Sequence, residues 1–307
     1  MNLQASLPPD IQVFERGWLS SNNVLLHGTA ACALVDSGYG SHAAQTLDLV
    51  RGALGSRPLD VLANTHLHSD HCGGNAALQR AYPALSTAIA PGLAEPVRVW
   101  DEARLTYQPS GQTCPAFTFN QLLLPGTQVR LGTRDWQVIA APGHDPHSVI
   151  LFDADSRTLI SADALWENGF GVVFPAIEGF DAFDDVARTL DAIEALDARA
   201  VIPGHGSVFF DAAAALVRAR SRLASFQNQP ERHARYAAKV LVKFRLLDVQ
   251  ETSFAALLAW GEQTPFMGRL HAPFASAKGL ADWLDELVDD LVRSGAARRR
   301  AGTVANA

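Results

Sequence analysis

Up to about residue 205, apolar residues fall in short runs between turn-forming residues, which is the pattern of strands. Segments 23–26 and 33–35 are such runs, closed by His27-Gly28 and by Asp36-Ser37-Gly38. Segments 59–63, 128–131, 136–140, 149–152, 158–161 and 200–202 continue the series. Between them, residues 41–54, the AALQRAY segment after Gly73-Gly74-Asn75, and residues 184–196 repeat apolar positions at helical spacing. Several strands are too apolar to leave one face in water, so helices must cover them. This alternation predicts a layered α/β fold. Residues 91–121 carry Pro91, Pro96, Pro109 and Pro115 and read as an irregular insert able to cover a cleft.

From Asp211 onward the strand pattern nearly vanishes. Segments 211–227, 231–247, 252–260 and 278–293 read as helices, with the boundary at Asn228-Gln229-Pro230. The expected division is a main domain over 1–229 and a helical module over 230–307. In the last helix Leu280, Leu284, Leu287, Val288 and Leu291 share a face, while Asp282, Asp285, Glu286, Asp289 and Asp290 occupy the rest. That apolar face must be covered, either by the main domain or by a second copy in a homodimer.

Charge narrows the function classes. The 307 residues hold 25 Lys plus Arg against 32 Asp plus Glu, a net charge of −7, and only three lysines, Lys239, Lys243 and Lys278. A nucleic-acid coat needs a basic stripe instead. Cys32, Cys72 and Cys114 are odd in number and far apart, so no disulfide framework is expected and a reducing compartment fits. The N-terminus has no cationic start followed by an apolar core. No apolar run approaches the ~20 residues of a membrane span. A soluble, cytoplasmic protein is the expectation.

The chemistry concentrates in four segments that hold five of the ten histidines. The first is Thr65-His66-Leu67-His68-Ser69-Asp70-His71-Cys72, between a buried strand and a helix. His66 and His68 are two apart and point the same way in an extended segment. Asp70 and His71 fall where the chain turns into the helix and can face a second nearby point. Four ligand-type residues in six positions suit two metal ions, and imidazole with carboxylate suits zinc, iron or manganese. Pro142-Gly143-His144, Ser161-Ala162-Asp163 and Pro203-Gly204-His205-Gly206 each follow a strand, so every further ligand hangs just past a strand end.

The order His66-x-His68-x-Asp70-His71, then His144, Asp163 and His205, resembles the metallo-β-lactamase superfamily over about residues 20–210. The resemblance implies an α/β fold, a four-layer αβ/βα sandwich with metals at one edge. It implies that His66, His68 and His144 hold one metal, that Asp70, His71 and His205 hold the second, and that Asp163 bridges them. The cofactor is then two divalent ions, zinc first, with iron or manganese as alternatives. This all-histidine and aspartate set is similar to the dinuclear hydrolases of the glyoxalase II type. It differs from the flavodiiron oxygen reductases, which have glutamate where this chain has His68.

The implied activity is hydrolysis of a small ester, thioester, lactone or related molecule by a metal-bridging hydroxide, with Asp70 as the catalytic proton carrier. A metal-dependent nuclease and an iron-dependent sulfur dioxygenase are the alternatives. The C-terminal helices followed by Arg298, Arg299 and Arg300 resemble a winged-helix module with the arginines in a wing. Its acidic last helix would repel phosphates, so a packing or dimer-forming role is expected, with a small molecule rather than nucleic acid as partner. Among lesser candidates, His147 reads as a supporting or surface residue. Trp166, Phe170 and Phe174 read as pocket wall or core, and Trp100 and Tyr107 as residues of the cleft-covering insert. Cys72 reads as a small buried residue and Asp36 as a turn residue.

Overall fold

The computed structural model describes residues 6–175 and 182–307, so the first five residues, read above for a leader, lie outside it. Among the described residues, β1 (Ile11–Phe14), β2 (Asn23–Leu26), β3 (Ala33–Val35), β4 (Val61–Ala63), β5 (Ser86–Ile89) and β6 (Gln121–Leu122) form one six-stranded sheet in that order. β7 (Gln128–Leu131), β8 (Arg134–Ala140), β9 (Val149–Asp153), β10 (Thr158–Ala162) and β11 (Ala200–Pro203) form a second, ordered β11-β10-β9-β8-β7.

Period-two alternation builds the layers, since successive side chains on a strand face opposite ways. Val24, Leu26, Ala33, Val35 and Ala63 of the first sheet share one core with Trp136, Val138, Val149, Leu151, Ile160 and Ile202 of the second. Their neighbours point outward: Leu25, Leu34 and Leu62 pack on Val50 and Leu54 of the helix Ala43–Leu54 and on Leu78 of Asn75–Ala81. Ile150, Phe152, Leu159 and Val201 pack on Val186, Leu190 and Ile193 of Ala182–Ala195 and on Leu216, Ala219 and Leu223 of Ala212–Asn228. Two sheets face to face with helices outside both is the expected αβ/βα sandwich.

Four readings of the sequence change. The proline-rich stretch 91–121 is not wholly irregular. It holds the helices Ala94–Val99 and Tyr107–Ser110 and ends in edge strand β6, around a small core of Leu67, Ile89, Val97, Tyr107 and Phe117. Strands β1 and β5 lie where the apolar pattern predicts none. The C-terminal region carries a further helix, Pro265–Ala275, between Phe254–Gln263 and Leu280–Arg293, all following the long helix Pro230–Val249. It also carries a small sheet, β12 (Glu251–Ser253), β14 (Thr303–Asn306) and β13 (Ala297–Arg300) in that order. The expected wing is the β13–β14 hairpin, with Arg298, Arg299 and Arg300 on β13.

The apolar face of the last helix is covered within the chain. Leu284, Leu287, Val288 and Leu291 join Leu241, Val242, Leu257 and Met267 in one core, to which Phe174 of the main domain adds, so covering that face requires no second copy. Its acidic face is paired too: Arg235 meets Glu286 and Asp290, and Arg299 meets Asp285 and Asp289. Among the described residues no helix is long and apolar enough to cross a membrane.

Candidate metal centre and catalytic cleft

β8 and β10 both run antiparallel to β9, and β11 runs parallel to β10, so the C-terminal ends of all three lie on one sheet edge. His144 follows β8, Asp163 follows β10 and His205 follows β11. The histidine-rich segment arrives from the other sheet, after β4, with His68 capping the four-residue helix Ser69–Cys72. Asn22 locks the two sheets together there, its side-chain amide donating to the carbonyls of Pro203 at 3.0 Å and Gly206 at 2.7 Å.

All seven sequence-selected residues converge. Three groups present side-chain ligand atoms within 4.8 Å of one another: His66 with His68 and His144, Asp70 with His71 and His205, and His66 with His71 and Asp163. Asp163 lies between the first two groups, 3.4 Å from His71 Nε2, 3.3 Å from His144 Nε2 and 3.9 Å from His205 Nε2. His68 Nδ1 and His144 Nε2 are 2.8 Å apart, and Asp70 Oδ2 is 3.1 Å from His205 Nε2.

Two observations suit a cation better than a hydrogen-bonded core. His66 Nε2 and His71 Nε2 are buried without a hydrogen-bond partner, a costly state that a bound cation would relieve. The backbone also makes room for the carboxylate: a Cβ at Gly204 would fall 2.1 Å from Asp163 Oδ1. Ala162, just before Asp163, is held at φ 45°, a left-handed conformation rare outside glycine. Strain of this kind gathers at functional sites.

Protonation states suit the same role. Burial, then the neighbouring His71, His68 and His144, hold His66 well below the usual histidine range. Burial and His144 bring His68 down to about 4, so both rings keep free lone pairs at neutral pH. Burial also disfavours a charged His71, but Asp36, Asp163 and Asp70 outweigh it and raise its pKa well above the ordinary value, so a metal ion bound there would displace the Nε2 proton. Burial likewise works against ionising Asp163, yet His71 and His205 keep it a carboxylate far below the usual range.

Several contributors escaped the sequence reading. Asp36, taken only as a turn residue, sits at φ 58° and accepts from His71 Nδ1 at 2.8 Å, fixing which face of that ring points inward. Asp145 lies 3.8 Å from His68 Nε2. The Val172 carbonyl takes His144 Nδ1 at 2.5 Å. Trp18, half exposed, stacks on His205 with ring centroids 5.4 Å apart. These partners come from distant loops, and no local spacing marks them.

A cleft of about 580 Å³ opens over the site. His68, Asp70, His144, Asp163 and His205 line one end. Trp166 lines it as well and donates from its indole nitrogen to Asp163 Oδ1 at 3.2 Å, and Phe174 forms part of the wall. Phe170 instead belongs to the core under the second sheet. In the insert, Thr106, Ser110 and Gln112 line the cleft, whereas Tyr107 and Trp100 pack in the insert's own core. His147 is exposed. Cys72 turns its thiol away from the ligand cluster, toward Cys114 at 3.7 Å and the Tyr107 hydroxyl at 3.2 Å.

The model of the metallo-beta-lactamase superfamily matches residues 16–205, which contain every one of these ligand-type residues. The chain belongs to that superfamily. Among curated proteins it is similar to the acyl-coenzyme A thioesterase MBLAC2 of Gallus gallus, at 26% identity over 213 residues, covering 64% of this chain and 76% of that protein. It is also similar to a hydroxyacylglutathione hydrolase of Nitrobacter winogradskyi, at 32% identity over 169 residues, covering 54% and 55% of the two chains. Among solved structures, a metallo-beta-lactamase family protein from Thermus thermophilus shares the fold with a TM-score of 0.61 at 21% identity, covering 98% of this chain and 100% of that one. The two curated relatives are named hydrolases, and this superfamily member is an enzyme of the metal-dependent hydrolase kind.

Proposed function

We propose that the protein is a dinuclear metal-dependent hydrolase of acyl thioesters and related esters. The observation that carries this is the pair of ligand triads at the floor of one cleft, with an ionised Asp163 between them. In this reading His66, His68 and His144 hold one divalent ion, Asp70, His71 and His205 hold the other, and Asp163 is shared. The donor set is imidazole and carboxylate, with Cys72 turned away, which suits zinc and admits iron or manganese. Bound there, two such ions would supply hydroxide at neutral pH and Lewis acidity for a carbonyl oxygen.

The chain's own residues do the rest. Asp70 faces the cleft; burial disfavours its charge, but the nearby His71 and His205 outweigh that and keep it ionised. From there it would orient the attacking water, accept its proton and pass that proton to the leaving group. Asp36 holds the His71 ring, and the Trp166 indole holds Asp163. The relatives' printed activities favour a thioester carbonyl over a phosphodiester. Residues 1–229 build the ligand cluster, and 230–307 form a module that closes the cleft, with the break where Asn228 ends one helix and Pro230 opens the next.

The test is a substrate panel of acyl thioesters, oxygen esters, lactones and phosphodiesters given to zinc-loaded protein, with and without a chelator. Chelator-sensitive thioester hydrolysis is expected. Asp70→Asn should lower its turnover by ~10²–10⁴-fold, a far larger loss than that of zinc content measured on the same sample. Phosphodiester cleavage without thioester cleavage, or near-normal turnover in the variant, would overturn the assignment.

A further inference from the structure

The helix Pro230–Val249 has two apolar faces, and only one of them is fully buried in a core. Ala234, Ala237, Ala238, Leu241, Val242 and Leu246 are buried in the C-terminal core. The other face, Tyr236, Val240, Phe244 and Leu247, recurs at intervals of three and four residues and therefore forms a single stripe. All four line the same cleft as His68, Asp70, His144, Asp163 and His205, and all four are only half-buried. The stripe extends for ~16 Å, eleven residues at ~1.5 Å each. Phe174 and Phe266 continue the apolar wall beside it.

Tyr236 stacks on Phe226 and Phe244 meets Tyr39 edge-on, yet the stripe stays only half-buried along the cleft, and apolar surface left to water carries a free-energy cost. The stripe walls the same cleft as the His/Asp cluster, so an apolar group attached to a carbonyl held at that cluster has this face to lie against. We infer that this face is the acyl-chain subsite, and that the substrate carries a long unbranched hydrocarbon chain rather than a short polar acyl group. This rests on the hydrolase reading above and names its substrate class. Val240, Phe244 and Leu247 are then the residues that set chain-length preference, although they lie outside the segment 16–205 that matches the superfamily model.

Two measurements on the full-length zinc-loaded protein decide it. One is kcat/KM for acyl thioesters from acetyl to dodecanoyl. The other is the affinity for the corresponding free fatty acids, read by displacement of a fluorescent fatty acid, which needs no turnover. Each added methylene should raise both by about fourfold until the stripe is covered, the equivalent of ~0.8 kcal/mol per buried methylene. Val240→Asp puts a carboxylate in the middle of the stripe, and Leu247→Asn a polar group at its C-terminal end. Each should flatten both series while zinc content, measured on the same samples, stays at the wild-type level. Fatty-acid affinity that is flat with chain length, or that climbs as steeply in both folded variants, would overturn the inference. Steep fatty-acid binding with no hydrolysis of any thioester would leave the subsite standing and remove the hydrolase reading.

Discussion

Asp36 uses both carboxylate oxygens: one takes the Thr65 amide at 2.9 Å, the other the Thr65 hydroxyl and His71 Nδ1, each at 2.8 Å. It thereby fixes a ligand-type histidine from a position 35 residues away. Removing such a supporting partner typically costs ~10–100-fold in metal affinity, and that loss is expected for Asp36→Ala in a zinc competition titration. Unchanged affinity would show that His71 needs no such support. Gly204→Ala should be harsher, because its Cβ has backbone and Asp163 against it and no flexible chain end to push aside. Residue spacing reveals ligand-type residues when they share a loop, as His66, His68, Asp70 and His71 do. It cannot reveal Asp36, Asp145 or Trp18, whose partners are brought near only by the fold.

At the scale of elements, the apolar runs that became β2, β3 and β9–β11 were legible because both faces of each strand are buried. β5 and β6 were not, since Ser86–Ile89 is short, begins with polar residues, and β6 is an exposed two-residue edge. The helix Pro265–Ala275 was hidden by Pro265 and Pro273, one at its first turn and the other inside it. The helix Pro230–Val249 carries a testable pH dependence. Its His233 is buried against Phe183 and Phe226, and burial and Arg222 bring its pKa down to about 4 from 6.5. Between those values the unfolded chain takes up a proton that the folded chain refuses, so stability falls as pH drops from about 6.5 toward 4. Denaturation midpoints at several pH values should therefore show a steeper acid loss in the wild type than in His233→Phe. Equal slopes would mean that His233 is protonated as easily folded as unfolded.

At the scale of the whole molecule, the charge balance and the pairing of the C-terminal arginines agree. Arg299 is held by Asp285 and Asp289 and lies 5.3 Å from the Phe254 ring centroid, which among the described residues leaves Arg298 and Arg300 without a carboxylate partner on an exposed strand. Two such cations release few counterions, so labelled duplex DNA or RNA at ~0.15 M salt should bind weakly and without a steep salt slope. Tight, salt-sensitive binding lost on replacing Arg298, Arg299 and Arg300 would contradict this. The sandwich and its ligand order could be read from the sequence, whereas the role of the C-terminal helices could not, because their second apolar stripe looks like ordinary core until the cleft is seen beside it. Both sheets and that module meet around one proposed two-ion centre. Its most direct test is the rate of acyl thioester hydrolysis as zinc is titrated into metal-free protein. The rate should climb until two equivalents are bound and then level off. Full activity at one equivalent, or hydrolysis that persists in metal-free protein, would contradict it.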